Sequence, residues 1–321
     1  VCAKPGQAHR YIVMFSLIAA LVLSWVFYNT DILNASAFVH LKYISTAERD
    51  QQTKNLMEML AEDKFYDDFE EIPVCDLEMD FIEFQQKHVR NSLPCIFAGA
   101  TAKWPAFTKW TDEYLKKTVG EETVTIERTT QDKVFVHFKK DWARVPMKFS
   151  EFLDNYDNPD REYNYYFAEQ KILEQLRDDV IEPIQAMNWD LKHLNYWQSK
   201  GGTESLAHTD GFENFLCQVD GFKDLKIAPP TQRLYIKTKD EVPNYTLMDF
   251  YDVEKTAEEY PDFRKAKIFT LRLNAGDCFY MPANWWHHVR SSTQRNLAIN
   301  FWYTTFSRVE DFFWSYFEGH Q

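Results

Sequence analysis

"LAHTDGFENFLCQVDGFK", residues 206–223, places a histidine and an aspartate one residue apart at the start of an apolar run. In a β-strand, residues i and i+2 point to the same face, so His208 and Asp210 would project together. An imidazole and a carboxylate suit a divalent first-row metal, and a third ligand from another strand would complete a triad with open positions. "GDCFYMPANWWHHVRSS", residues 276–292, offers His287 and His288. Each motif also arises by chance, but the combination in one strand-rich region is rarer.

The residues around these motifs predict a mainly β domain. After residue 200 the chain consists of short apolar or alternating runs separated by Gly and Asn turns, as in "FLCQVDG", "IFTLRLNAGDCFYMP" and "NLAINFWYT". Two helices are predicted ahead of them, in "SEFLDNY" (150–156) with Ser150 as the N-cap and in "ILEQLRDDVIEPIQAM" (172–187). Late strands with helices before them predict a β-sandwich or barrel with helical cover.

Composition limits the functional classes. The chain has 321 residues, a net charge of −13 and a pI near 5.2, which argues against a nucleic-acid partner because phosphate binding needs clustered Lys and Arg. No nucleotide-binding or serine-hydrolase motif is present. The five cysteines form no C-x-x-C pair and do not predict a disulfide framework; we expect Cys217 and Cys278 to be buried structural thiols.

An apolar run near the N-terminus predicts a membrane anchor. Residues 11–30, "YIVMFSLIAALVLSWVFYNT", carry no charge and as a helix could cross a hydrocarbon core of about 30 Å. A cleaved signal peptide, with "ASA" at 35–37 as its cleavage site, and a buried core helix are the alternatives. Lys4 and Arg10 precede the run, so the positive-inside rule predicts a cytoplasmic N-terminus and a luminal or extracellular C-terminal domain, with the endomembrane system favoured. Two glycosylation sequons, at Asn34 and Asn244, are compatible with that side.

The predicted organisation therefore has four parts. A short segment, 1–10, precedes the anchor, 11–30; a charged stalk or helical linker, 31–72, leads to the folded domain, 73–321. The aromatic C-terminal stretch "RVEDFFWSYFEGHQ" (308–321) could cover the domain, form a homodimer or meet a partner in a membrane complex.

Several motifs together resemble a known family. "HTDGFENFLCQVDGFK", "GDCFYMPANWWHHV", "NLAINFWY" and the earlier "NSLPCIFAGATAKWPAFTKWTDEYL" resemble the Fe(II)- and 2-oxoglutarate-dependent JmjC oxygenases over about residues 73–310. The likeness is greatest to the hydroxylase branch that includes the asparaginyl hydroxylase of hypoxia-inducible factor. The resemblance implies a double-stranded β-helix (jelly-roll or cupin) fold, Fe(II), 2-oxoglutarate and O₂ as cofactor and co-substrates, and hydroxylation of a protein or peptide side chain with release of succinate and CO₂.

The resemblance also implies roles for individual residues. His208, Asp210 and His287 match the iron ligands, His287 rather than His288 because the family's ligand directly follows the aromatic residue. Lys223 matches the lysine that pairs with the far carboxylate of 2-oxoglutarate. The remaining matches to the co-substrate pocket are Ser205, Asn214, Tyr166 (or Tyr165 if the register shifts by one), Asn300 and Trp302.

The substrate region departs from the family pattern. Where the asparaginyl hydroxylase has an Arg–Gln pair, this chain has the shorter "KDEVPNYTLMDF" (239–250) with Asn244 and Tyr245, which puts asparagine specificity in doubt. Three alternatives remain: a methyl-lysine demethylase that releases formaldehyde, a non-catalytic cupin serving as an accessory subunit of a membrane complex, and a cupin with another metal, such as zinc, in a structural site.

Overall fold

The structure, a computed structural model, describes Tyr66 and residues 71–130, 133–136, 139–239 and 242–304. All of them belong to one compact unit, Ala61–Gln321. The predicted segments 1–10, 11–30 and 308–321, and most of the linker 31–72, lie outside the described residues. Among the helices that are described, none is both long and apolar enough to span a membrane.

The described residues form twelve strands in two antiparallel sheets. The strands are β1 Cys95–Phe97, β2 Thr123–Thr129, β3 Ala143–Lys148, β4 Asn164–Lys171, β5 Asp190–Ser199, β6 Glu204–His208, β7 Glu213–Asp220, β8 Phe222–Ala228, β9 Phe269–Asn274, β10 Cys278–Met281, β11 Trp286–Ser291 and β12 Asn296–Thr304. The larger sheet has the order β1-β10-β7-β12-β5-β4-β2-β3 and the smaller β6-β11-β8-β9. This β-sandwich is consistent with the predicted jelly-roll.

Burial patterns explain the two sheets. In β9, Phe269, Leu271 and Leu273 are buried and alternate with exposed residues, as expected of a strand with one solvated face. Strands β7 and β12 are buried along almost their whole length, because other parts of the protein cover both of their faces. The predicted strands after residue 200 are therefore confirmed, and their apolar residues form the core.

Short helices and turns pack around the two sheets. They are α1 Phe81–Phe84, α2 Pro105–Lys109, α3 Asp112–Val119, α4 Phe149–Asp157 and α5 Val253–Glu259, with a π-helix at Gln85–Val89 and 3₁₀ turns at Glu174–Asp179, Ile184–Ala186, Pro230–Leu234 and Pro261–Lys265.

Two helix predictions need correction. The N-cap of α4 is Lys148, and Ser150 lies inside the helix with its N–H bonded to the Gly120 carbonyl at 2.9 Å. A backbone acceptor thus replaces the expected side-chain cap. The predicted helix 172–187 is instead two 3₁₀ turns, Glu174–Asp179 and Ile184–Ala186, separated by Pro183, which cannot donate a helical hydrogen bond.

The prediction for the cysteines was wrong. Cys217 and Cys278 are buried, but they form a disulfide, and Cys75 forms a second one with Cys95. Cys217 and Cys278 face each other on β7 and β10, so strand register brings together residues that are 61 positions apart. Local spacing along the sequence contains no trace of such a pairing.

Candidate functional site

The predicted metal ligands lie close together at the end of β6 and the start of β11 in the smaller sheet. His208 is the last residue of β6 and pairs with His287 on β11, and their ring centroids are 4.1 Å apart. Asp210 lies two residues beyond β6, with its Oδ2 3.4 Å from His287 Nε2 and 3.9 Å from His208 Nε2. The carbonyl of Asp210 accepts a 2.7 Å hydrogen bond from the Asn284 N–H, which fixes this loop to the turn before β11.

Backbone contacts orient both imidazoles. His208 Nδ1 lies 2.6 Å from the Leu206 carbonyl and His287 Nδ1 lies 3.0 Å from the Trp285 carbonyl. Because a carbonyl only accepts, each Nδ1 carries the proton and each Nε2 presents a lone pair towards Asp210. Trp285 is held in turn by its indole N–H, which donates to the Ser92 carbonyl at 3.0 Å.

The charge states suit a cation site. Burial, helped by the neighbouring His287, lowers the pKa of His208 to about 4, so this ring is neutral at physiological pH. Burial alone would raise the pKa of Asp210, but the rings of His208 and His287 outweigh it and hold that pKa below its usual range. Two imidazoles and one carboxylate form a group that could hold a divalent metal.

A cavity of about 320 Å³ extends from this triad between the two sheets, a volume typical of small-ligand sites. Every predicted site residue lines it: Tyr166, Ser205, His208, Asp210, Asn214, Lys223, His287, Asn300 and Trp302. Tyr165, the alternative to Tyr166, lines a separate small cavity.

Lys223 is a buried cation on the cavity wall. It lies on β8 opposite Ser291 of β11, is 4% exposed, and donates from Nζ to Ser291 Oγ at 3.0 Å. Burial lowers its pKa to about 7, and no carboxylate among the described residues offsets that cost with an ion pair. Ser291, which also accepts a bond from Thr203 Oγ1 at 2.8 Å, was missed in the sequence because only strand register places it beside Lys223.

Two further polar atoms on the cavity wall have no protein partner. Asn214 Oδ1 and Trp302 Nε1 are both buried without a hydrogen bond among the described residues. Buried polar atoms in folded proteins are nearly always bonded, so these two mark places for a bound group or water. Asn300 differs, because its Oδ1 already accepts a hydrogen bond from Trp197 Nε1 at 2.7 Å.

A second group of cavity residues was not predicted. Glu169 has a φ of 50° at a β-bulge between β4 and β5, and such bulges re-aim side chains near functional sites. Burial, with the nearby Asp210, raises its pKa. Arg144 lies 2.9 Å from Glu127 and 3.8 Å from Glu169. Tyr245, expected in the substrate loop, stacks on His208 at 4.9 Å.

Comparisons with known proteins agree with this geometry. The sequence matches the family described as "Cupin-like domain" over residues 82–309. It is 30% identical over 236 residues to "Jumonji C domain-containing protein 5" of Drosophila melanogaster, which covers 69% of this chain and 57% of the relative. It is 30% identical over 233 residues to "Lysine-specific demethylase JMJ30" of Arabidopsis thaliana, with 69% and 52% covered.

A human relative is matched over more of its length. "Bifunctional peptidase and (3S)-lysyl hydroxylase JMJD7" is 26% identical over 285 residues, covering 77% of this chain and 87% of the relative. The chain spans only about half the length of the first two relatives. The match extends through most of the described β-sandwich, so the chain belongs to the cupin-like domain family, with JmjC proteins as its relatives.

Proposed function

We propose that this chain is an Fe(II)- and 2-oxoglutarate-dependent dioxygenase that hydroxylates a side chain of a protein. The observation that carries the proposal is the buried Lys223 on the wall of the cavity that also holds the His208, Asp210 and His287 group. An unpaired ammonium in a protein interior is costly, and an anionic ligand would offset that cost.

The residues that line the cavity fit both Fe(II) and 2-oxoglutarate. His208, Asp210 and His287 would hold Fe(II), and Lys223 with Ser291 would bind the far carboxylate of 2-oxoglutarate. When bound, Fe(II) and 2-oxoglutarate would allow O₂ to oxidise a C–H bond of the substrate to C–OH. This oxidation is coupled to the conversion of 2-oxoglutarate to succinate and CO₂.

The chain's own residues orient and shield these groups. The Nδ1–H bonds of His208 and His287 keep their Nε2 atoms directed towards one point. Trp302 forms an aromatic part of the cavity wall and is held in place by stacking on Phe212, with the ring centroids 5.2 Å apart. The indole N–H of Trp302 and Oδ1 of Asn214 have no partner among the described residues and could bond the ligands.

The carboxylates of Glu127 and Glu169 line the cavity and favour a substrate with a cationic side chain. Among the described residues, Arg144 is the one cation that pairs with both carboxylates, and its contact with Glu169 is the longer at 3.8 Å. Trp142 Nε1 also donates to Glu127 at 3.1 Å, so Glu169 is the less engaged of the two carboxylates. Two of the relatives are named for action on lysine, one as a lysyl hydroxylase and one as a demethylase. We therefore propose a lysine side chain as the target, with hydroxylation as the main reaction and demethylation of methyl-lysine as the second candidate.

Turnover tests the proposal directly. Full-length protein in detergent, with Fe(II), 2-oxoglutarate and lysine-containing peptides, should form succinate and a product 16 Da heavier, and His208→Ala should abolish both. Formaldehyde from a methylated peptide would instead identify a demethylase. Lys223→Met should raise the 2-oxoglutarate concentration required by at least roughly tenfold, whereas Lys226→Met, on the opposite face of β8, should not.

Two results would favour the other hypotheses. Binding of iron and 2-oxoglutarate without turnover on any peptide would support an accessory subunit. Purification with stoichiometric zinc and no affinity for 2-oxoglutarate would support a structural metal site.

We also propose that residues 11–30 anchor the protein and that its folded domain lies in an oxidising lumen. The two disulfides, Cys75–Cys95 and Cys217–Cys278, support this location because such bonds persist mainly in oxidising compartments.

A further inference from the structure

The two disulfides have different surroundings. Cys217 and Cys278 join central strands of the larger sheet, and the neighbours of Cys217 along β7 are buried as well. Cys75 lies on the segment that precedes α1, between the exposed residues Val74 and Asp76. Its sulfur is bonded to Cys95 of the edge strand β1, and Cys75 is 5% exposed whereas Cys95 is 0% exposed. The Cys75–Cys95 bond is therefore buried but directly adjacent to surface residues.

A histidine is directed at this bond. His88 lies on the π-helix Gln85–Val89, a rare geometry that occurs frequently at functional sites. Its Nε2 is 3.1 Å from Cys75 Sγ, while its Nδ1 is 3.1 Å from the Leu93 carbonyl. Because the carbonyl only accepts, Nδ1 carries the proton of the neutral ring and the Nε2 lone pair points at the sulfur.

The three groups form one compact cluster. The ligand atoms of Cys75, His88 and Cys95 all lie within 4.8 Å of one another, and the imidazole contacts Cys75 Sγ directly. Burial lowers the pKa of His88, so its ring is neutral at physiological pH and its Nε2 is free to act as an acceptor. In the dithiol form, Nε2 would accept a hydrogen bond from the Cys75 thiol, so a proton acceptor would stay beside this sulfur.

We propose that Cys75 and Cys95, served by His88, form a thiol–disulfide exchange site whose partner is a dithiol. A thiol of the partner gives its proton to His88 Nε2 and attacks Cys75 Sγ as a thiolate; the Cys75–Cys95 bond breaks, and Cys95 leaves as a thiolate that takes up that proton. The partner's second thiolate then attacks its own sulfur of the mixed disulfide and releases Cys75 as a thiol. Two electrons and two protons pass from the dithiol to the cysteine pair, and the partner leaves as a disulfide.

The site is independent of the cavity that holds Lys223. None of its three residues lines that cavity, and the exchange requires neither iron nor 2-oxoglutarate. Failure of the dioxygenase proposal would thus leave this one unaffected.

The second disulfide provides a control within the same molecule. Full-length protein in detergent is treated with dithiothreitol, quenched with a maleimide at successive times, and each cysteine is quantified by peptide mass spectrometry. We expect Cys75 and Cys95 to be labelled at least roughly tenfold faster than Cys217 and Cys278. His88→Gln should slow labelling of the first pair by roughly tenfold and leave the second pair unchanged, while the exposed His193→Gln should alter neither.

The proposal fails under either of two results. Equal rates for the two pairs would show that both open only when the whole domain unfolds. An unchanged rate for Cys75 in His88→Gln would show that the imidazole has no part in the exchange. The protection of Cys217 and Cys278 in each variant reports whether that variant is folded.

Discussion

The ionisation of Lys223 makes the free energy of unfolding depend on pH. Burial lowers its pKa to about 7, whereas in the unfolded chain it titrates at about 10.4. Between these values the unfolded state binds a proton that the folded state lacks, so the free energy of unfolding rises with pH by up to about 1.4 kcal/mol per unit. Below pH 7 both states are protonated and this contribution is constant.

Lys223→Met should therefore remove that rise. Denaturant unfolding of the ligand-free protein, followed from pH 7 to pH 10, should give a steeper stability curve for wild type than for the variant. Lys226→Met serves as the matched control, because Lys226 lies on the opposite face of β8 and bonds Thr270 at the surface. Parallel curves for wild type and Lys223→Met would contradict a buried, unpaired lysine.

The residues that the sequence motifs pointed to lie together in the fold, while their roles in binding and catalysis stay predictions. All nine predicted site residues line one cavity, because the H-x-D pair, the later histidine and Lys223 keep family spacing. Glu169 and Ser291 carry no such signal. Glu169 depends on a bulge in β4 and Ser291 on the register of β11 against β8, and both are set by pairing between distant strands.

At the level of elements, the turn between β5 and β6 depends on a glycine. Gly201 has a φ of +102°, and a Cβ placed on it would lie 2.0 Å from the Gln294 carbonyl oxygen and 2.3 Å from that of Ser292. The backbone carbonyls cannot move aside without disturbing the start of β12. Gly201→Ala should therefore cost at least about 2 kcal/mol of unfolding free energy.

Gly211→Ala is the comparison for that variant. A Cβ on Gly211 meets nothing within 4 Å, and we expect a change within about 0.5 kcal/mol. Denaturant midpoints measured side by side decide the matter; similar losses in both variants would argue against the close approach at Gly201.

Strands were predictable both where burial alternates, as in β9, and where a short apolar run is buried throughout, as in β7 and β12, whereas elements were not predictable where distant contacts override local preference. The segment 172–187 has helix-forming residues, yet Asp179 accepts bonds from Lys109, Trp110 and Tyr114. Those contacts hold the chain in a 3₁₀ turn, and Pro183 stops any continuation of a helix. No local pattern encodes interactions with α2 and α3.

For the molecule as a whole, the proposed anchor gives a direct prediction. Full-length protein should remain in the membrane pellet after an alkaline wash, and deletion of residues 1–30 should release it, because this deletion removes the uncharged 20-residue run. In sealed microsomes the folded domain should resist protease until detergent is added, as expected for a luminal location. Release of the full-length protein by the wash would contradict the anchor, and digestion without detergent would contradict the orientation.

The fold also affects the sequon Asn244-Tyr245-Thr246. In the folded domain the Thr246 hydroxyl is buried and donates to the Lys237 carbonyl at 2.6 Å, while the Asn244 amide donates to the Thr209 carbonyl at 3.3 Å. An oligosaccharyltransferase needs that threonine hydroxyl and that amide in an extended, accessible chain. In a secretory compartment, folding and sugar transfer would thus compete in time for Asn244. In such a compartment, a chain whose loop closes first would keep a glycan away from the cavity, so fast folding would protect the site.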